Sequence, residues 1–308
     1  MTVPATIRSR RRTSATPYVM LIPAIVLFIA FMAAPIFYTI YLSFQKTKVS
    51  GLGLGAGART QVFAGFENYA SALGDPDFID SVVRVLLYGI VLVPTMLALA
   101  LLFALLLDSQ RSRGRTFSRV TIFLPYAVPA VISTLLWGFL YLPAVSPFYN
   151  MAASLGWNPP QALSSNLVIF AVANIALWGG VGFNMVVMYT ALRSVPTELY
   201  EAARLDGATE TQISLRIKVP IIIPSIIMTA IFSLIATLQV FAEPTTLKPL
   251  TNAISSTWTP LMKVYRDAFT RNDIYSASAT SVVIAVAIFA LSFIFLRLIQ
   301  SRAFSQEN

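Results

Sequence analysis

Apolar residues gather along this chain in six long blocks separated by polar stretches. The blocks cover residues 18–44, 85–107, 120–142, 167–192, 219–241 and 274–296. A hydrocarbon core about 30 Å thick takes roughly 20 residues of α-helix to cross, so each block can span it. None of the blocks contains Asp, Glu, Lys or Arg. Each such residue would cost about 2.5–3.5 kcal/mol at the bilayer centre, so their exclusion is what a spanning helix demands. The pattern predicts an all-α integral membrane protein with six transmembrane helices. It divides into a tail over residues 1–17 and a single membrane domain over residues 18–308. The first block is about twice as long as the apolar part of a secretory signal. It carries Pro23 and Pro35, which predict a tilt or kink rather than a cleavage site, so a retained span is expected.

Composition agrees with the pattern. Hydrophobic residues make up 56% of the 308 and charged residues 11%, against about 45–50% and 25% in a soluble domain. The net charge of +9 could suggest a polyanion partner, but its placement points elsewhere. With the N-terminus inside, one side of the membrane holds Arg8, Arg10, Arg11, Arg12, Arg111, Arg113, Arg115, Arg119, Arg193, Arg204, Arg216, Lys218, Arg297 and Arg302. Those are fourteen of the 22 basic residues, and they sit close to the span ends. The positive-inside rule then makes both termini cytoplasmic. The tail "RSRRR" reads as a topology signal, and no nucleic-acid partner is expected.

The loops on the opposite side differ in character. Residues 45–80 contain "GLGLGAG", a flexible tract that does not fit the spacing of a phosphate-binding loop and is followed by no lysine. In the same loop Asp75, Asp77 and Asp80 form "DPDFID", read as an acidic helix start rather than a cation site. Residues 143–166 carry no charge and include "WNPP", which suits a compact loop or an interfacial helix. Residues 242–273 hold Trp258, Tyr265 and Phe269, read as an aromatic belt at the membrane interface.

No catalytic or metal constellation emerges. The chain has no cysteine and no histidine, which removes disulfides, thiol chemistry, Cys/His metal sites and histidine acid–base catalysis. All 13 carboxylates lie outside the six blocks. Ion-coupled secondary transporters, the rival class of membrane protein, place ionisable groups at the midplane; here Arg84 and Glu243 lie only at block edges. The polar residues within the blocks are neutral: Asn174, Asn184, Ser233, Thr237 and Gln239, with Trp178 beside the glycines of "WGGVGFN". Two readings stand. Small residues and amides serve close helix packing, or Asn174, Trp178, Asn184 and Gln239 line a path for a neutral, hydroxyl-rich solute such as a sugar.

One polar segment, residues 197–218, carries more secondary-structure chemistry than a connector needs. Thr197 follows Pro196 and can cap a first helix, with Glu198 and Glu201 at the positive end of its dipole. Ala202 and Ala203 keep its surface low. Gly207 after Asp206 is a helix stop, and "TETQ" over residues 209–212 fits a capping box for a second helix. That helix runs towards Pro220, where the fifth span begins. The acidic residues suggest a basic protein partner rather than a lipid surface.

At these residues the sequence resembles the permease subunits of bacterial ATP-binding-cassette importers. Their "EAA" signature matches Glu201-Ala202-Ala203, Gly207 and Ile217-Lys218-Val219-Pro220, with valine in place of leucine. The stretches "FAGFENYASAL", "FLPYAVPAVISTLLWGFLY" and "ALRSVPTELYEAARLDGAT" are similar to the carbohydrate-uptake branch, of the maltose and glycerol-phosphate permease type. The resemblance implies a type I importer fold with a coupling helix between spans 4 and 5. It implies a bacterial inner-membrane location and a second, homologous permease. It also implies two ATPase subunits that bind ATP and Mg, and an extracytoplasmic solute-binding protein. No cofactor is expected in this chain, and it is not expected to be an enzyme. Glu201, Ala202, Ala203, Asp206, Gly207 and Pro220 become the expected coupling residues, with Glu201 pairing a basic ATPase residue. Many relatives carry "TGGGP" after the fifth span, where this chain has "TTLKPLTNAISSTWTP", so a different external mouth is expected. A non-sugar importer permease is the alternative within the same family.

Overall fold

Residues 16–49, 59–109 and 114–303 are described by the computed structural model of the chain. The basic run Arg8–Arg12, the "GLGLGAG" tract, Arg111 and Arg113 lie outside the described residues. The chain begins with α1 (Thr16–Phe28), a π turn (Ile29–Ala33) and α2 (Ala34–Ser43). Pro35 has no N–H to donate back along the helix, and the backbone widens just before it. The Ala34 N–H there bonds back to the Ile29 carbonyl. The first span thus carries a π turn ahead of Pro35 and continues as one stretch over Val19–Ser43.

The next loop departs from an all-helical chain. β1 (Gln45–Val49) pairs antiparallel with β2 (Arg59–Phe63), Gln45 lying opposite Phe63. Then come α3 (Glu67–Gly74) and α4 (Pro76–Asp108), the longest helix of the described chain at 33 residues. α4 begins nine residues before the apolar block. Asp75 caps it, its carboxylate accepting the Asp77 N–H at 2.9 Å, and Pro76 occupies the first helical position. Arg84 therefore lies inside a helix rather than in a loop, and it donates to the Trp258 carbonyl at 2.8 Å.

The third block is not one straight span. α5 (Arg115–Phe123), a 3₁₀ turn (Leu124–Ala127) and α6 (Ala130–Tyr141) form a pair bent by 96°. Pro125 and Pro129 break it. Val128, which precedes Pro129, is driven to extended backbone (φ −81°, ψ 126°).

α7 (Pro147–Ser154) is the short helix of the uncharged loop, and α8 (Val168–Arg193) is the fourth span. The elbow holds α9 (Glu198–Leu205), α10 (Glu210–Ile213), a π turn (Ser214–Lys218) and α11 (Val219–Ile221). α12 (Ile223–Leu238) and α13 (Ala242–Leu247) make the fifth span, broken at residues 239–241. α14 (Pro260–Tyr265), a π turn (Arg266–Thr270) and α15 (Ile274–Ala303) end the described chain. Among the described residues, five helical stretches are long and apolar enough to cross a membrane, or six with the bent pair taken as one span.

α4 and α8 pack along each other and carry the core. Towards the hairpin side, Val85, Leu92 and Met96 meet Val172 and Ile175. Towards the elbow, Ala100 and Ala104 meet Met185 and Met188, the small side chains letting the helices approach. Trp258 is not in a belt: it is buried in the first of these clusters, 3% exposed, with the Arg84 guanidinium over its ring. Tyr265 and Phe269 are exposed, their rings tilted at 40° to each other with centroids 4.9 Å apart. The acidic helix start is tied down by cations: Asp75 pairs with Lys263 (3.1 Å) and Asp77 with Arg266 (3.0 Å). In the segment that replaces "TGGGP", the Thr251 hydroxyl donates to the Leu163 carbonyl at 2.8 Å, fastening it to the loop before α8.

Candidate functional site

Two sites stand out, the elbow and a cavity between the spans. In the elbow, α9 ends in a reciprocal turn built on Gly207, whose φ is +82°. The Ala208 N–H bonds the Ala203 carbonyl and the Gly207 N–H bonds the Arg204 carbonyl, both at 3.0 Å, which is the Schellman pattern. α10 starts with a complete capping box. The Gln212 N–H donates to Thr209 Oγ1 (3.3 Å), and Gln212 Oε1 accepts the Thr209 N–H (2.8 Å). Arg204 Nε donates to Glu210 at 2.8 Å, bracing one helix on the other. Thr197 precedes α9 as expected, but its hydroxyl makes no cap bond.

The two faces of the elbow divide differently from the sequence expectation. Tyr200 and Ile213 are buried together with Val195, and Ala203 and Ala208 pack onto them. Ala203 thus closes the elbow on itself. Glu201, Ala202, Leu205, Asp206 and Gly207 are exposed, and Leu205 is 90% exposed. Pro220 lies within α11, and the long helix of the fifth span, α12, starts beyond it at Ile223.

An ion pair that sequence reasoning missed fixes the elbow to the spans. Lys218 in the π turn pairs with Asp108 at the end of α4, both side chains 5% exposed. The same ammonium lies 4.7 Å from the Tyr200 ring centroid. Burial, then the nearby Asp108 carboxylate, push the Tyr200 phenol above its ordinary pKa, against an opposing pull from Arg193. Asp108 directly after an apolar block, and a lysine directly before one, were the only signals available in the sequence.

The cavity holds about 810 Å³ and lies between α4, the bent third span, α8 and the broken fifth span. The bend, imposed by Pro125 and Pro129, puts Tyr126 on its wall, where the ring stacks on Phe183 at 5.1 Å. Gly182 lets α8 approach the bent span backbone to backbone: an added Cβ would sit 2.3 Å from the Ile122 carbonyl oxygen.

The four residues read as a solute path separate here. Asn184 and Gln239 line the cavity; Asn174 and Trp178 do not. Asn174 donates to the Tyr141 hydroxyl at 2.8 Å, and Trp178 meets Trp137 edge to face at 6.1 Å, so both face α6. Asn184 is itself committed, donating to the Gly180 carbonyl (3.0 Å) and accepting from Ser233 (3.3 Å). Gln239 is exposed to the cavity. Tyr88, Tyr126, Phe183 and Glu243 also line it and were not expected. Glu243 looks like a block edge in sequence, but the break at residues 239–241 turns the chain so that it returns to the cavity.

Residues 69–306 match the family model described as the binding-protein-dependent transport system inner membrane component. The chain belongs to that family. The permease is 26% identical over 295 residues to the sn-glycerol-3-phosphate transport system permease protein UgpA of Shigella flexneri, covering 94% of this chain and 96% of the relative. The corresponding protein of Pectobacterium atrosepticum is 25% identical over the same coverage. In structure the permease is similar to a chain of a bacterial alginate ABC transporter solved in complex with an alginate pentasaccharide-bound periplasmic protein. The TM-score is 0.81 at 22% identity, covering 94% of this chain and 95% of that one. The fold is therefore the six-span fold of ABC importer permeases, and the chain is a multi-pass membrane protein.

Proposed function

We propose that this permease is the membrane-spanning subunit of an ATP-driven importer for a sugar, oligosaccharide or related polyol. An extracytoplasmic binding protein hands over the solute, and both termini of the permease face the cytoplasm. A second permease completes the path, and two ATPase subunits hold the ATP and Mg. The observation that carries this reading is the elbow: an acidic, exposed face on Glu201, Ala202 and Asp206, shaped by Gly207 and braced against spans 2 and 5. Such a face suits a basic cleft in an ATPase, whose closure would move both spans. The amide of Gln239 and the ring faces of Tyr126 and Phe183 support a hydroxyl-rich solute, because sugars offer both hydroxyls and C–H faces.

Gentle purification of the complex with identification of its chains tests the assembly, and a thermal-shift screen of sugars against the co-purified binding protein tests the solute. In proteoliposomes, Gly207→Val and Glu201→Lys should leave the protein inserted while abolishing uptake driven by ATP. Uptake at the unmutated rate in both variants would remove the coupling assignment.

A further inference from the structure

We propose that the cavity wall of this chain selects an uncharged or cationic, hydroxyl-rich solute against anionic ones, and that Glu243 sets this choice. The inference rests on the cavity being the solute path. Among the described residues lining it there is no Lys or Arg, and Glu243 is the one carboxylate. Arg84 is spent on the Trp258 carbonyl and Lys263 on Asp75 and Asp267, and Lys248, five residues after Glu243, does not line the cavity. No side chain among the described residues donates to Glu243, whereas Asn184 and Ser233 of the same wall bond each other, and Ser133 and Thr237 bond backbone carbonyls.

An anion leaving water is compensated best by a cation, and this wall provides none. A carboxylate makes matters worse: like charges about 5 Å apart at an effective dielectric of about 20 disfavour occupancy by a few hundredfold. A polyol meets the opposite situation. Its hydroxyls donate charge-assisted hydrogen bonds to Glu243, Gln239 offers an amide, and the stacked Tyr126 and Phe183 rings offer a surface for C–H faces. An ammonium group on the solute would pair with Glu243 directly.

The chain has no cysteine, so Ala236→Cys, on the cavity wall, gives it a single reporter thiol. In the assembled complex without binding protein, maleimide labelling of that thiol is timed with maltose, glucosamine or sn-glycerol 3-phosphate present. Maltose and glucosamine should slow labelling, and glycerol 3-phosphate should need at least about tenfold higher concentration to do so. Glu243→Lys should reverse the order of glucosamine and glycerol 3-phosphate, and Glu243→Gln should level those two while keeping protection by maltose. Equal protection by all three, protection by none, or an unchanged order in Glu243→Lys overturns the proposal. Labelling is also compared between nucleotide-free and vanadate-trapped complexes. A rate that does not change between those states removes the path reading itself, whatever the order of the probes.

Discussion

Gly182 has no side chain where α8 crosses the bent third span, and the space there is already taken by backbone. An alanine Cβ would lie 2.3 Å from the Ile122 carbonyl oxygen and 2.7 Å from Phe123 Cα, atoms that cannot swing aside. Gly182→Ala should therefore destabilise the solubilised protein by about 1–3 kcal/mol, read as a lower melting temperature. Gly179→Ala, with nothing within 4 Å of its added Cβ, is the control and should not lower it. Outside the membrane, Asp75 makes a prediction about pH. Its burial raises its pKa, but the Lys263 hydrogen bond and charge, the Asp77 N–H and Arg266 outweigh that and hold it below the ordinary value. A carboxyl with a depressed folded pKa stabilises fully above its unfolded pKa of about 3.9, and the contribution fades as pH falls through the lower folded value. Melting temperatures of the native protein and Asp75→Asn should differ at neutral pH and converge only below about pH 4. A difference that stays constant as the pH is lowered below about 4 would contradict this origin.

At the scale of elements, the elbow was legible because helix ends are written locally. Thr209, Gln212 and Gly207 act within a few residues of themselves, and each does in the structure what its type and spacing suggest. Thr209→Ala should cost about 1 kcal/mol by removing the hydroxyl that accepts the Gln212 N–H, while the backbone N–H of residue 209 keeps its bond to Gln212 Oε1. A lower melting temperature with preserved ATP-dependent uptake is expected, since the acidic face stays in place. The spans were legible as lengths but not as directions. A hydropathy pattern sees that residues 120–142 are apolar; the 96° turn depends on how Pro125 and Pro129 are resolved by packing against α8. The hairpin was missed for a related reason: its strands are short, polar and separated by the glycine tract, so no apolar alternation marks them. Trp258 and Asn174 show the limit most plainly. Whether an indole or amide faces lipid, core or cavity depends on partners distant in sequence, Arg84 for one and Tyr141 for the other.

At the scale of the molecule, α4 links the two faces. Its 33 residues span about 50 Å at 1.5 Å per residue. At one end Asp75 and Asp77 hold Lys263 and Arg266 ahead of the sixth span. At the other, Asp108 holds Lys218 between the elbow and the fifth span. If the elbow is displaced during transport, Asp108 is the contact that would carry that displacement into α4. Replacing one member of a buried pair leaves an uncompensated charge and costs about 3–5 kcal/mol, whereas replacing both with apolar residues is often neutral. Asp108→Asn should therefore lower the melting temperature and raise the ATP hydrolysed per solute imported by the reconstituted complex. The pair Asp108→Leu with Lys218→Met should restore the melting temperature alone. The exchanged pair, Asp108→Lys with Lys218→Asp, should restore both quantities. Recovery of the ATP-to-solute ratio in the apolar pair would show that the ion pair only stabilises the elbow and that its motion reaches α4 through apolar packing instead.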